Sequence, residues 1–289
     1  MAESELPHLL AVLGSPIAHS ASPAMQQAGL DAMGMPAHYL ALEVVSERVG
    51  EAIAGLDALG ALGANLTAPL KEGALPFLRR VDPIARRLGA VNTLVRRPSR
   101  TGRGFSGTNT DLPALEAALE RAGGGMVVRR ASVFGAGGTA ATSLVGLAGI
   151  GVRECALVAR TPKRGRALIE RLREARLLGA MTVEIYSTSA SFPPATVVVN
   201  ATPQGRAGAR PAIARRHLKE AELVIDWVYR SGDTALIRAA SERGIATIDG
   251  AELLLGQGVR SLALWTGREP GPAVLRAMRR ALHRHLQTG

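Results

Sequence analysis

Short apolar runs alternate with amphipathic stretches along nearly the whole chain. Runs at 8–13, 39–44, 64–67, 93–96, 132–134, 156–158, 183–186, 197–199, 224–226 and 246–248 are bounded by Gly, Pro or polar residues, which predicts strands. Most of the intervals carry apolar residues three and four apart, which predicts helices. Two further helical patterns, about 250–265 and 271–286, follow the last strand with no strand after them, so they need another surface to cover. Alternation of this kind predicts an α/β protein.

Residues 131–152 are all uncharged, and 22 residues are long enough to span a bilayer. Glycines at 135, 137, 138, 146, 149 and 151, with Ser132, Thr139, Thr142 and Ser143, suit lipid poorly. A strand, a glycine turn and a buried helix account for the same residues. In ASVFGAGGTA, residues Gly135, Ala136, Gly137, Gly138 and Thr139 follow the strand and open the helix, matching G-x-G-x-x-A in the context that motif requires. Such a turn brings backbone N–H groups to a pyrophosphate at a helix N-terminus. About twenty residues on, the next strand ends at Ala159-Arg160-Thr161, with Arg164 one turn later. An NAD site usually has an acid there for the ribose 2′-hydroxyl, whereas a 2′-phosphate needs a cation. The acid is missing and two arginines are present, with Thr161 as a hydroxyl or helix cap, which predicts NADP.

A length of 289 residues suggests two domains, and the glycine turn lies near the middle. The expected arrangement is a first α/β domain from residues 1–112 and 251–289 and a dinucleotide domain from 113–250, facing across a cleft. A composition 47% hydrophobic and 20% charged, with 33 Gly and 16 Pro, excludes a disordered polyelectrolyte, a collagen-like chain and a coiled coil. The single cysteine, Cys155, supports neither an internal disulfide nor a Cys/His metal cluster, which favours a reducing, cytoplasmic setting. Residues 1–10 lack the basic start of a signal peptide. The formal charge is +11, and all but three of the 35 basic residues are arginine. Because the arginines are scattered and aromatics make up only 3%, no nucleic-acid partner is expected, and with 131–152 read as a strand, turn and helix no membrane is expected either; a positive field would attract small anions.

Asparagine occurs only at 65, 92, 109 and 200, each time inside a compact polar string: NLTAPLK, GAVNT, GTNTD and NATPQG. Lys71, in the first string, is one of three lysines in an arginine-rich chain. Lysine serves where a compact cation must sometimes give up a proton.

These strings resemble the shikimate dehydrogenase family over nearly the full length and in order. They are preceded by GSPIAHSASP at 14–23 and followed by GAGG, ART, Asp226-Trp227-Val228-Tyr229, and Gln257 through Trp265-Thr266-Gly267. The resemblance implies an N-terminal α/β substrate domain, a Rossmann-like NADP-binding domain and C-terminal helices that return to the first. It implies an oxidoreductase of aromatic amino-acid and chorismate biosynthesis that reduces 3-dehydroshikimate to shikimate with NADPH. By the same likeness Lys71 and Asp111 form the catalytic pair. Ser20 and Ser22 hold the substrate carboxylate, and Thr67, Asn92, Asp111, Tyr229 and Gln257 bind its hydroxyls and carboxylate. Residues 135–139 cradle the pyrophosphate, Ala159 to Arg164 face the adenosine phosphate, and Trp227 and Gly250 approach the nicotinamide end by backbone.

The chain departs from the family pattern at Gln26-Gln27, where His-Asn is usual, and at Ala114, Ala159 and Arg206. A quinate or aminoshikimate dehydrogenase and a non-catalytic NADP-binding sensor are the alternatives, and a homodimer is the assembly considered.

Overall fold

The computed structural model describes residues 6–96, 104–122, 129–204, 213–230 and 232–288. The chain divides into two compact units, one of residues 1–110 and 257–289, the other of residues 111–256.

In the first unit, β1 (His8–Gly14), β2 (Ala37–Glu43), β3 (Gly63–Leu66), β4 (Arg80–Val81), β5 (Thr93–Arg96) and β6 (Phe105–Thr108) form one sheet in the order β2-β1-β3-β5-β6-β4. β1 runs parallel to β2 and β3, while β5 is antiparallel to both β3 and β6. Leu10, Ala11, Val12 and Leu13 of β1 are all buried, as a central strand covered on both faces requires. The helices of this part are α1 (Ser22–Ala32), α2 (Val49–Ala58), α3 (Leu70–Gly73) and α4 (Pro83–Leu88). Val49, Ile53 and Leu56 give α2 its apolar stripe, which packs with Leu13, Leu66, Leu94 and Phe105 of the sheet. Asp82 starts α4 by accepting hydrogen bonds from the Ile84 and Ala85 amides.

The second unit opens with α5 (Asp111–Ala122). It continues through β7 (Arg130–Phe134), α6 (Gly138–Gly149), β8 (Glu154–Ala159), α7 (Pro162–Glu174), β9 (Thr182–Ser187), β10 (Val197–Asn200), β11 (Leu223–Asp226), α8 (Ala235–Ser241) and β12 (Ala246–Ile248). The sheet order is β12-β11-β10-β7-β8-β9, and every pairing is parallel. Strand order reverses between β7 and β10, so the crevice beyond their carboxyl ends is the ligand-binding position of a doubly wound sheet. The uncharged stretch 131–152 is thus most of β7, a turn and the 12-residue α6. Among the described residues no helix is long and apolar enough to cross a membrane.

All the expected strands are present, with ends shifted by up to two residues. Two strands were not expected, β4 and β6. β4 has two residues and pairs only with β6, and β6 reads Phe-Ser-Gly-Thr. Both exist because β5 offers an edge, a long-range cause that local pattern does not carry.

α9 (Gly250–Thr266) begins in the second unit and ends in the first, followed by α10 (Pro272–Thr288). Val274, Met278, Ala281 and Leu282 form the buried face of α10, which packs against α1. In α9 the Trp265 indole N–H donates to the Leu94 carbonyl of β5 at 2.8 Å, and its ring lies 5.9 Å from that of Tyr39 on β2. Trp265→Ala is therefore expected to cost about 3–5 kcal/mol in urea unfolding. A loss below about 1 kcal/mol would mean that α9 adds little to this sheet.

Candidate active site

The glycine turn of the second unit is shaped by its neighbours. Gly135 has φ +123, and a Cβ there would stand 2.7 Å from the Ala201 carbonyl oxygen just after β10. Only glycine satisfies both conditions. The turn leads through Ala136 to Gly137, the extended N-cap of α6, which offers no side-chain cap, and on to Gly138 and Thr139. The first-turn amides of α6 are thus left for an external acceptor, at the positive end of the helix. At the end of β8, Ala159 is buried, whereas Arg160, Thr161 and Arg164 are exposed. Thr161 is the N-cap of α7 by position but makes no side-chain cap bond, so of its two expected uses only the hydroxyl remains. Among the described residues no ion pair holds Arg160 or Arg164, and the first turn of α7 has no acid. These features fit a dinucleotide with an added phosphate near the β8 end.

In the first unit the expected substrate residues lie on segments that follow β1 and β3, precede β5 or belong to α9. Ser20 and Ser22 follow β1 and are buried, and the Ser22 amide donates to Ser20 Oγ at 3.3 Å, so Ser20 also supports the first turn of α1. Thr67 follows β3, and its amide donates to the Leu13 carbonyl. Lys71 sits in α3, where its carbonyl accepts from the Val91 amide at 2.8 Å and so ties it to the Asn92 loop. Asn92 precedes β5, and antiparallel pairing brings it to the edge where β1 and β3 end. Its Nδ2 donates to Gln257 Oε1 of α9 at 3.3 Å and to Thr110 Oγ1 at 3.0 Å, while its Oδ1 accepts from the Thr110 amide at 2.7 Å. Asp111 is buried at the start of α5 in the second unit, and Tyr229 lies in the turn after β11.

Beneath this edge runs a polar network whose Asn65, Thr110 and Ser261 the sequence did not single out as functional. Asn65 Oδ1 accepts from the Tyr39 hydroxyl at 2.7 Å, and its Nδ2 reaches the Asn92 carbonyl, Thr93 Oγ1 and Ser261 Oγ at 3.0–3.1 Å. Ser261 also donates to the Gln257 carbonyl one turn earlier on α9. All four asparagines are buried, so their scarcity was a usable signal of interior roles. Gln26 is fully buried and donates to the Gly258 carbonyl, and Gln27 joins α1 to β2 by bonds to the Ala37 carbonyl and the Tyr39 amide. Ala114 is buried in α5. Arg206 lies outside the described residues.

The second unit holds one more buried polar centre, at Asp226. Burial pushes its carboxyl above the usual carboxylate range, against the lowering effect of bonds from Thr234, Val228 and Asn200. Beside it the Trp227 indole donates to Ser143 Oγ of α6 at 2.9 Å. A Cβ at Gly250 would meet the Val228 carbonyl at 2.5 Å, so the start of α9 lies directly against that turn.

A parallel sheet in this order, opening through a glycine turn onto an uncapped helix, defines a Rossmann-type dinucleotide-binding protein, here joined to a second α/β unit. A family model described as "Shikimate dehydrogenase substrate binding domain" matches residues 12–94. A shikimate dehydrogenase (NADP(+)) from Anaeromyxobacter dehalogenans is 39% identical over 268 residues, 91% of this chain and 92% of its own. The crystal structure of shikimate 5-dehydrogenase from Thermus thermophilus in complex with NADP(H) and shikimate has a TM-score of 0.78 and 32% identity, covering 96% of this chain and 100% of its own. A quinate dehydrogenase from Corynebacterium glutamicum in complex with NAD gives 0.79 and 29%, covering 96% and 99%. The chain belongs to the shikimate dehydrogenase family.

Asn65→Ala, which removes the acceptor of the Tyr39 hydroxyl and the donors to Thr93 Oγ1 and Ser261 Oγ in the interior, is expected to cost about 2–3 kcal/mol in guanidinium unfolding. An unchanged midpoint would show that water replaces the amide without loss.

Proposed function

We propose that the protein catalyses the reversible, NADPH-dependent reduction of 3-dehydroshikimate to shikimate, a step of chorismate and aromatic amino-acid biosynthesis. The observation that carries this reading is the bonded cluster of Asn92, Thr110 and Gln257 beside the carboxyl ends of β1 and β3, the strands that lead into the segments holding Ser20, Ser22, Thr67 and Lys71. The 39% identity to an NADP-named relative over nine-tenths of both chains supports it.

Bound NADPH supplies the hydride, and the chain's own groups manage the oxygen that receives charge. As the ketone carbon takes the hydride, its oxygen develops into an alkoxide, which needs a donor in place. Lys71 donates a hydrogen bond to that oxygen and passes it a proton, giving the secondary alcohol; in the reverse direction the neutral amine takes the proton back. Asp111 is the carboxylate that completes this acid–base pair. Ser20 and Ser22 bind the substrate carboxylate by their hydroxyls, while Thr67, Asn92, Tyr229 and Gln257 hold the ring hydroxyls and fix which face is presented. On the cofactor side, Gly135 to Thr139 offer amides to the pyrophosphate, and Arg160 and Arg164 with Thr161 grip the adenosine phosphate beside Ala159. Trp227 and Gly250 contribute backbone near the nicotinamide end.

We place the enzyme in the cytoplasm: Cys155 has no cysteine to pair with, and burial pushes its thiol up to about 12, keeping it protonated and inert. A homodimer is the assembly we propose, to be checked by light scattering.

The quinate alternative is kept because the quinate dehydrogenase matches as well in fold as the shikimate enzyme does. Quinate carries an extra C1 hydroxyl, which would lose hydration beside the two serines without gaining a partner, at about 1–3 kcal/mol. Initial rates are therefore expected to favour shikimate over quinate by roughly 5- to 150-fold in kcat/KM and NADP over NAD. Arg160→Ala should raise KM for NADP far more than for NAD. Equal rates with quinate would promote the alternative, and equal effects on both cofactors would remove the arginine grip.

Lys71→Ala should lose roughly 10²- to 10⁴-fold in kcat while still binding shikimate, and Lys71→Arg should not restore it. Near-normal turnover in Lys71→Ala would take Lys71 out of the mechanism.

A further inference from the structure

We propose that Asp226 is a positioning residue for the cofactor, because one buried carboxylate ties together the loops that border the glycine turn of the second unit. This rests on the dehydrogenase reading above and adds a residue to it. Asp226 is the last residue of β11 and is wholly buried. Its Oδ1 accepts from Asn200 Nδ2 at 2.9 Å and from the Val228 amide at 3.0 Å, and its Oδ2 accepts from the Thr234 hydroxyl at 2.6 Å. Three donors aimed at one carboxylate are the arrangement that a buried acid needs in order to hold its neighbours rather than disrupt them.

Each bond leads to a different piece of the crevice wall. Asn200 ends β10 and organises the loop after it, donating also to the Gln204 carbonyl and accepting from the Thr202 amide and hydroxyl. That loop includes Ala201, whose carbonyl stands against Gly135 and whose amide donates to Phe134 at the end of β7. The Val228 bond closes the turn 226–229, which presents Trp227 to Ser143 on α6 and the Val228 carbonyl to Gly250. Thr234 is the N-cap of α8, and its Oγ1 accepts from the Ile237 amide, so the third bond anchors both loops to a helix. Asp226 thus connects the loop against the glycine turn with the turn against α6. Both flank the switch point where this class of sheet binds its nucleotide.

Asp226→Ala should weaken NADP+ binding at least tenfold by calorimetry and lower kcat by roughly 10- to 100-fold, with a smaller rise in KM for shikimate, which feels the 226–229 turn only through Tyr229. Asp226→Asn keeps the oxygen facing Asn200 and Val228 and can donate to Thr234 Oγ1, so it should recover most of both losses. Thr234→Val, which removes the Oδ2 bond and the cap on the Ile237 amide but leaves the Asn200 and Val228 bonds in place, should give a loss of about two- to fivefold in the same two quantities, and it stands in if Asp226→Ala does not fold. Unchanged NADP+ affinity in Asp226→Ala, an equal rise in both KM values, or no recovery in Asp226→Asn would overturn the proposal, as would an unaffected Thr234→Val enzyme. A wild-type protein that binds NADP+ but does not oxidise shikimate would sink the assigned reaction and leave the calorimetric comparison intact.

Discussion

The carboxamide of Asn65 has no alternative to the partners it makes: it is buried in the middle of a sheet and must be satisfied there. Its bonds reach Tyr39 on β2, the carbonyl of Asn92, Thr93 on β5 and Ser261 on α9, so one side chain relates three strands and a helix. Asn92, Thr110 and Gln257 follow from that anchor, since each is bonded to a neighbour of Asn65 or to Asn92 itself. Apolar packing alone would tolerate small slides between these elements, whereas directional bonds in a low-dielectric interior define one arrangement. A site that must tell hydroxyl positions apart on a small ring needs that definition.

The strand–helix alternation was legible because parallel sheets bury their strands on both faces and leave continuous apolar runs, as in Val197 to Val199 and Leu223 to Ile225. The glycine turn was legible because backbone geometry there admits so few residue types. Ser261 and Thr234 were not singled out, and Asp226 stood only inside a motif string, with no role of its own. A serine in a helix or an acid at a strand end has ordinary surface uses, and what distinguishes these is partners far away in the chain, such as Asn65 for Ser261. Rarity was the more informative local signal, as the asparagines show.

Arginine, by contrast, was abundant and uninformative by count, yet individual arginines have defined tasks. Arg96 at the end of β5 donates to the carbonyls of Leu56, Asp57 and Ala61 at the close of α2, pairs with the Asp57 carboxylate at 2.8 Å and lies 5.0 Å from the Phe105 ring centroid. A planar group with several fixed donors can satisfy a helix end, an acid and a ring at once, which an ammonium cannot. Arginine use here therefore reflects structural bonds as well as a positive field.

The path of the chain has a bearing on its synthesis. The first sheet is encoded early, but Ser261 and Trp265, which complete its polar and apolar contacts, come after the whole second unit. The hydrogen bond from Asn65 to Ser261 spans 196 residues, which at roughly 5–20 residues per second is about 10–40 s of translation. During that interval the second unit, continuous from residue 111 to 256, emerges in full while the first still lacks its last helices. The half of the protein that is begun first is thus the half that is finished last, and on the ribosome it is the part with most need of protection from premature association.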